Sequence, residues 1–199
     1  MAKQAHVKGR VDSVLIEKTI GALFDEVSDS HADNLALISR HQNIRLTYRQ
    51  MRKRVDALAC GLARLGIQKG DRVGIWAPNC EEWALTQFAT AKLGAILVNV
   101  NPAYRLNEVE YALKKVGCRA LITASTFKSS DYIAMMNSLL PELTSDTASL
   151  PGARLPELAH VIRLGTDTSS GFLNFEDLLT EPSPKELSTL QATCAALDP

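Results

Sequence analysis

The sequence predicts an α/β fold with a doubly wound, largely parallel sheet and flanking helices. Short and almost wholly apolar segments, such as residues 73–77 and 120–123, alternate with longer amphipathic segments. Strands of a parallel sheet are covered on both faces, so they show continuous apolar runs. The repeated strand, helix, strand order therefore favours helices on both faces of one sheet.

The amino-terminal third is predicted to hold a helix, a hairpin and a second helix. Thr19 is a candidate N-cap, and apolar residues follow it at the i, i+3, i+4 and i+7 positions of one helix face, namely Ile20, Leu23, Phe24 and Val27. Residues 35–39 and 44–46 are predicted strands joined by a turn at 41–43. Thr47 and Gln50 form a predicted capping box for a second helix that Gly66 ends.

The central third alternates strands with helices. Strands are predicted at 73–77, 96–100 and 120–123, with a helix over 81–93 that Gly94 closes. A further helix is predicted to be capped by Asn107 with Glu110 and to stop at Gly117.

The last third carries weaker signals. Apolar spacing predicts one more helix through residues 133–143, and residues 160–164 read as a strand. Residues 144–156 are rich in Ser, Thr, Pro, Ala and Gly, which is typical of a surface loop.

Composition is that of a globular protein with no preference for a charged partner. The 199 residues are 46% hydrophobic and 22% charged, and 22 basic residues balance 22 acidic ones. Zero net charge argues against nucleic acid or an anionic membrane as partner. Gln87, Lys92, Gly94 and Asn99 interrupt the longest apolar region, so no membrane span is expected. The basic amino terminus gives no convincing transit peptide.

Metal, disulfide and thiol chemistry are not predicted. Neither the cysteines nor the histidines show the paired spacing of ligands; they are Cys60, Cys80, Cys118, Cys194, His6, His31, His41 and His160. The thiols are expected to be reduced, with Cys118 a small core residue rather than a nucleophile.

Other patterns with chemical meaning also favour structural roles. Gly61 and Gly66 have the glycine spacing of a phosphate-binding loop, but Ile67 and Gln68 stand where Lys and Ser or Thr are needed, which favours helix packing and a C-cap. Glu81 and Glu82 could form an acid/base pair, yet their position in the first turn of a helix, where carboxylates complement the helix dipole, explains them better. Lys114 and Lys115 fit the solvated end of a helix.

The best local candidates for lining a pocket are Asn99, Asn101 and Tyr104. They follow the carboxyl end of a predicted strand, where open α/β sheets place ligands. The competing interpretation is that Asn101 and Pro102 form the turn out of the strand and that Tyr104 packs inside.

Five segments together carry a resemblance to AMP-forming acyl-CoA synthetases, the adenylate-forming enzymes. These are LTYRQM at 46–51, GDRVGIWAPNCEEW at 70–83, AKLGAILVNVNPAYRLNEVEY at 91–111, the NPAY motif inside it at 101–104, and LKKVGCRALI at 113–122. The LTYRQM segment departs from the family pattern at Gln50, where Glu is usual, and at Met51, where Leu is usual. The likeness runs in order from about Thr19 to Leu179 and is closest to the mitochondrial medium-chain fatty acyl-CoA ligase branch.

The resemblance implies an incomplete, amino-terminal part of the large domain of such an enzyme. Residues 19–199 would form this part after an extension at 1–18, with the chain truncated before the phosphate-binding loop. The complete enzyme would convert a fatty acid, ATP and CoA into acyl-CoA, AMP and pyrophosphate with Mg²⁺. No cofactor and no catalytic residue is assigned to this chain alone. A mitochondrial location is implied, with the cytoplasm as the alternative.

Three hypotheses for function remain open from the sequence. The first is an amino-terminal fragment of a fatty acyl-CoA ligase that is inactive by itself. The second is a non-enzymatic binding or dimerisation module that acts on the full-length enzyme. The third is an unrelated nucleotide-binding α/β domain. An unpaired sheet edge would also favour self-association or pairing with the full-length ligase.

Overall fold

A computed structural model describes residue 9, residues 15–144, residue 150 and residues 152–199. The first half of the chain contains, in order, α1 (Ile20–Ser30), β1 (Leu35–Ser39), β2 (Ile44–Thr47), α2 (Tyr48–Arg64), β3 (Arg72–Trp76), α3 (Glu81–Leu93) and β4 (Ile96–Asn99). The second half contains α4 (Leu106–Val116), β5 (Cys118–Thr123), β6 (Thr126–Phe127), β7 (Ser130–Asp131), α5 (Tyr132–Leu139), β8 (His160–Arg163), β9 (Leu173–Asn174), α6 (Phe175–Leu178) and α7 (Pro184–Ala195).

The predicted parallel sheet is confirmed. Five strands lie in the order β4-β3-β5-β8-β9, and every neighbouring pair is parallel. Two small antiparallel hairpins, β1 with β2 and β6 with β7, stand outside this sheet.

Each face of the sheet has its own apolar core, which makes the fold doubly wound. The first core joins α1, α2, α3, α6 and α7 to one face, and it includes Phe24, Leu58, Ile75, Leu85, Phe175 and Leu190. The second core joins α4 and α5 to the other face, and it includes Trp76, Val109, Leu113, Leu121, Tyr132 and Met136. Successive side chains of a strand alternate between faces, so residues 75 and 76 contribute to different cores.

Local capping explains why the first helices begin where they do. The Thr19 side chain accepts a hydrogen bond from the backbone N–H of Ala22 at 3.2 Å. Thr47 Oγ1 accepts from the N–H of Gln50 at 3.3 Å, and the Gln50 side chain accepts from the N–H of Thr47 at 2.9 Å. Two backbone donors at the start of α2 are thereby satisfied, as a capping box requires.

The predicted start of α4 was wrong. Arg105 is the N-cap and Leu106 is the first helical residue, so Asn107 lies inside the first turn. The Glu108 carboxylate accepts from the N–H of Arg105 at 3.0 Å. This carboxylate satisfies a free donor, and the helix begins two residues earlier than a cap at Asn107 allows.

The predicted helix over 133–143 was too long. α5 ends at Leu139, and residues Pro141–Thr144 form a separate 3₁₀ turn. Pro141 has no N–H to donate to the preceding turn, and its ring disfavours a continuous α-helix. Of the predicted loop at 144–156, residues 145–149 and 151 lie outside the described part of the chain.

The last helix, α7, was not predicted. Ser183 caps it, accepting from the N–H of Glu186 at 3.3 Å, while the Glu186 carboxylate accepts from the N–H of Ser183 at 2.7 Å. Leu190 and Cys194 on α7 are buried. None of the described helices combines the length and apolar character that crossing a membrane requires.

Candidate functional site

The candidate site is the carboxyl edge, defined as the ends of the parallel strands and the residues that follow them, 76–80, 99–104, 123–127 and 163–165. β3 and β5 are neighbours in the sheet, but α3 after β3 packs on the first core and α5 near β5 packs on the second. Open α/β sheets place ligands where the chain turns to opposite faces in this way. The topology therefore directs attention to the ends of β3 and β5.

A stacked aromatic pair fixes this part of the carboxyl edge. The rings of Trp76, at the end of β3, and Tyr132, at the start of α5, have centroids 3.7 Å apart and an interplanar angle of 9°. Both side chains are fully buried. Since aromatic pairs of this kind combine large buried area with a defined geometry, the pair holds α5 against the end of β3. Sequence reasoning missed it, because 56 positions separate the two rings.

The phenol of Tyr132 also holds the loop after β4. Its hydroxyl donates a hydrogen bond to the backbone carbonyl of Pro102. Burial raises the pKa of Tyr132 to about 12, so the hydroxyl keeps its proton at neutral pH and remains a donor. The ends of β3 and β4 are thereby connected through one side chain.

The three predicted pocket residues lie at the edge strand rather than at β3 and β5. Among the described strands β4 pairs with β3 alone, and Asn99 at its end is exposed. Asn101 forms the turn, since its side-chain oxygen accepts from the N–H of Ala103 at 2.9 Å and its carbonyl accepts from the N–H of Tyr104 at 3.0 Å. Tyr104 is 38% exposed and does not pack inside. Their role in lining a pocket remains a prediction.

Glu81 and Glu82 lie in the first turn of α3 and are held by structural contacts. Glu81 is buried, and its carboxylate lies 3.0 Å from Nε of Arg54 on α2. Burial raises the pKa of Glu81, and the positive charge of Arg54 opposes this shift. Gln42, between β1 and β2, donates to the Glu82 carboxylate at 2.8 Å. These contacts fasten α2 and the hairpin to α3.

The glycine pair at 61 and 66 does not form a phosphate cradle. Gly61 lies inside α2, where a Cβ atom would come within 2.3 Å of the carbonyl oxygen of Leu178. Gly66 has a φ of +79° just beyond the helix end. One glycine permits close approach of α6 and the other ends α2, so the predicted structural interpretation fits both positions.

Metal ligation and thiol chemistry find no support among the described residues. In that part of the chain no group of three His, Cys, Asp or Glu side chains could hold a metal ion. His160 lies 2.9 Å from the carbonyl oxygen of Leu65, and His6 falls outside the described residues. The cysteines are free, and burial raises the pKa of both Cys80 and Cys118 to about 12, which leaves them protonated and poorly nucleophilic.

A buried ion cluster was also missed by sequence reasoning. The Lys92 side chain is 2% exposed, and its ammonium contacts the carboxylates of Asp25, at 2.7 Å, and Asp56. Burial raises the pKa of Asp56, while Lys92 acts in the opposite direction. The three residues come from α3, α1 and α2, so no local spacing could have revealed the cluster. It joins the three helices away from the carboxyl edge.

Comparison with known proteins identifies relatives of this architecture. Residues 24–191 match the family described as AMP-binding enzyme. The chain is 40% identical over 190 residues to the mitochondrial medium-chain acyl-CoA ligase ACSF2 of Bos taurus, covering 95% of this chain and 31% of the relative. The Danio rerio protein of the same name is 38% identical over 188 residues, covering 94% of this chain and 31% of its own length.

Solved structures show the same fold. An anthranilate CoA ligase, AuaEII, in complex with anthranoyl-AMP superimposes with a TM-score of 0.69 at 23% identity, over 83% of this chain and 28% of that one. A fatty acyl CoA synthetase of Mycobacterium tuberculosis gives a TM-score of 0.64 at 24% identity, over 83% of this chain and 30% of that one.

The chain spans about three tenths of the length of the curated relatives it matches. The resemblance drawn from the sequence, to an amino-terminal portion of the adenylate-forming enzymes, is confirmed by the family match and by the parallel sheet. This chain belongs to the AMP-binding enzyme family.

Proposed function

We propose that this chain is the amino-terminal portion of an ATP-dependent fatty acyl-CoA ligase. Residues 19–199 would supply part of the large-domain scaffold, after an extension at 1–18. The observation that carries the proposal is 40% identity across 95% of the chain to a relative named as a medium-chain acyl-CoA ligase. The complete enzyme would convert fatty acid, ATP and CoA into acyl-CoA, AMP and pyrophosphate.

The complete enzyme would need Mg²⁺, which neutralises charge on the transferring phosphate when bound. The described residues do not fit a metal site, because they include no group of three His, Cys, Asp or Glu side chains that could hold the ion. We assign no step through ATP, Mg²⁺ or CoA to residues of this chain.

The contribution of the chain is positional. The stack of Trp76 on Tyr132 and the hydrogen bond from Tyr132 to Pro102 hold the ends of β3 and β4 and the start of α5 in one arrangement. Groups that act on a substrate must be held within a fraction of an ångström, which requires a rigid support. The carboxyl edge would provide this support for groups carried by the rest of the enzyme.

By itself the chain would not form an acyl-adenylate. Each missing electrostatic contribution to a charged transition state typically costs about a hundredfold or more in rate. The described residues include no group of three metal ligands, so the isolated chain would lack at least the contribution of a bound metal ion.

A chimera tests the proposed scaffold role. The matching portion of the Bos taurus relative is replaced by this chain, and acyl-CoA formation from medium-chain fatty acids is measured. We expect the chimera to be active and the remainder of the relative to be inactive when expressed without an amino-terminal portion. A folded chimera that binds ATP but forms no acyl-CoA would contradict the scaffold role.

A non-enzymatic module that acts on the full-length enzyme is the second candidate. The observation favouring it is β4, which pairs on one side only within the described sheet and so offers an edge to another chain. Co-purification of the 199-residue chain with a full-length ligase would support this alternative. A mitochondrial location is proposed from the names of the relatives.

A further inference from the structure

A surface groove runs along the outer side of α4. It has a volume of about 510 Å³ and is lined by Tyr104 and by six helical residues, namely Asn107, Glu108, Tyr111, Ala112, Lys115 and Val116. We call these six residues the α4 seam. Tyr111 at its centre is 63% exposed, which is unusual for so large an aromatic side chain.

The central side chain of the α4 seam is held in place. Nζ of Lys115 donates to the hydroxyl of Tyr111 at 2.9 Å and lies 5.2 Å from the centre of its ring. The contact keeps the exposed ring against its own helix, which reduces the entropy lost if the ring becomes buried.

The α4 seam is symmetric about the midpoint between Tyr111 and Ala112. Its members fall at residues 107, 108, 111, 112, 115 and 116, so they form one stripe along the helix. Each member has a counterpart at the same distance on the other side of the midpoint. Glu108 mirrors Lys115, and Tyr111 mirrors Ala112.

Such a stripe is complementary to itself when two helices lie antiparallel. In a two-fold contact, residue i of one copy meets residue j of the other, and j meets i. The mirror pairs would then place Glu108 of each copy opposite Lys115 of the other, which gives two such contacts. The large ring of Tyr111 would lie over the small Ala112 of the other copy. Opposite charges and matched sizes therefore both favour a second copy of this chain.

We propose that the α4 seam is a two-fold contact between two copies of this chain, with the α4 helices antiparallel. The seam runs from Asn107 to Val116, about 13.5 Å along the helix, so the buried area is small and the dimer is weak. The proposal is independent of the enzymatic function proposed above. It also differs from association through a bare strand edge, which would not depend on Glu108 or Lys115.

Sedimentation of the 199-residue chain over about a hundredfold range of concentration tests the proposal. We expect a monomer–dimer equilibrium that Lys115→Glu weakens about tenfold, because two attractive contacts become repulsive. Glu108→Lys should weaken it similarly. The double variant Glu108→Lys/Lys115→Glu restores opposite charges and should recover most of the affinity.

Two further variants make the test specific. Lys114→Glu makes the same charge change on an exposed α4 residue outside the α4 seam, and it should leave the dimer nearly unchanged. Tyr111→Ala should weaken the dimer, and circular dichroism confirms that each variant folds. A chain that stays monomeric throughout would overturn the proposal. Association that both single charge reversals leave intact, or that the double variant fails to recover, would overturn it equally.

Discussion

Replacing Lys92 by methionine removes one charge from the buried ion cluster while keeping a similar side-chain length. Lys92 is 2% exposed and lies between Asp25 on α1 and Asp56 on α2. The substitution leaves two carboxylates facing each other with their main cation gone. We expect the three-helix packing to lose stability for this electrostatic reason rather than through a cavity.

The magnitude follows from the burial of the remaining groups. Removing one partner of a buried ion pair costs about 3–5 kcal/mol. The side chains of Asp25 and Asp56 keep 21% and 19% exposure, and Nε of Arg52 lies 3.1 Å from Asp25, so the lower end applies. A loss of about 3 kcal/mol in the free energy of unfolding corresponds to a melting temperature lower by about 6–12 °C in a chain of this size.

The pH dependence of this loss identifies its cause. Burial raises the pKa of Asp56 in the folded state, so the folded protein binds that proton more tightly than the unfolded chain does. Stability from such a group is present at low pH and is lost as pH rises through the folded pKa. Because Lys92 opposes the rise, Lys92→Met should raise the pKa of Asp56 further. The stability lost by the variant should therefore be larger at about pH 7 than at about pH 5.

Urea unfolding at both pH values measures the effect, with Lys114→Met as the control. Lys114 is exposed, and its substitution should change the free energy of unfolding by less than about 0.5 kcal/mol. A loss below about 1 kcal/mol for Lys92→Met at neutral pH, or a loss that grows in acid, would refute the reasoning.

Three further changes test other contacts. Gly61→Ala should cost about 2 kcal/mol in urea unfolding, because the clash with the Leu178 carbonyl outweighs a gain of about 1 kcal/mol in helix propensity; a more stable variant would contradict the close approach. Tyr132→Phe should cost about 1 kcal/mol through the bond lost to Pro102, with the near-UV signal of the aromatic stack retained. A hydrogen bond from Arg64 on α2 lowers the pKa of Glu186 from 4.5 to about 2, so the stability that this carboxylate contributes is lost as pH falls through that range. Glu186→Gln should therefore flatten the acid side of a plot of melting temperature against pH, and an unchanged plot would count against the contact.

Local signals predicted most of the regular structure. The Thr19 cap, the Thr47 and Gln50 capping box and the glycines at 94 and 117 mark helix ends by backbone chemistry that acts within a few residues. Where two local signals competed, the prediction failed. The apolar spacing through Leu143 was followed although Pro141 interrupts it.

Contacts between distant residues could not be predicted in the same way. The stack of Trp76 on Tyr132 and the cluster around Lys92 depend on how strands and helices are ordered in space. The sequence signal at Asn101 was a turn, and the structure contains this turn. The sheet type directs attention to the carboxyl edge as the candidate location, and a site there stays a prediction, whereas the residues that fasten this edge required the topology.

Fatty-acid-dependent exchange of pyrophosphate into ATP tests the central claim most directly. The purified 199-residue chain is assayed beside the full-length Bos taurus relative under identical conditions. If the chain is a scaffold portion of an acyl-CoA ligase, the relative exchanges pyrophosphate and the isolated chain does not. Exchange by the isolated chain that requires fatty acid and persists through further purification would place an adenylating site within these 199 residues and contradict the account.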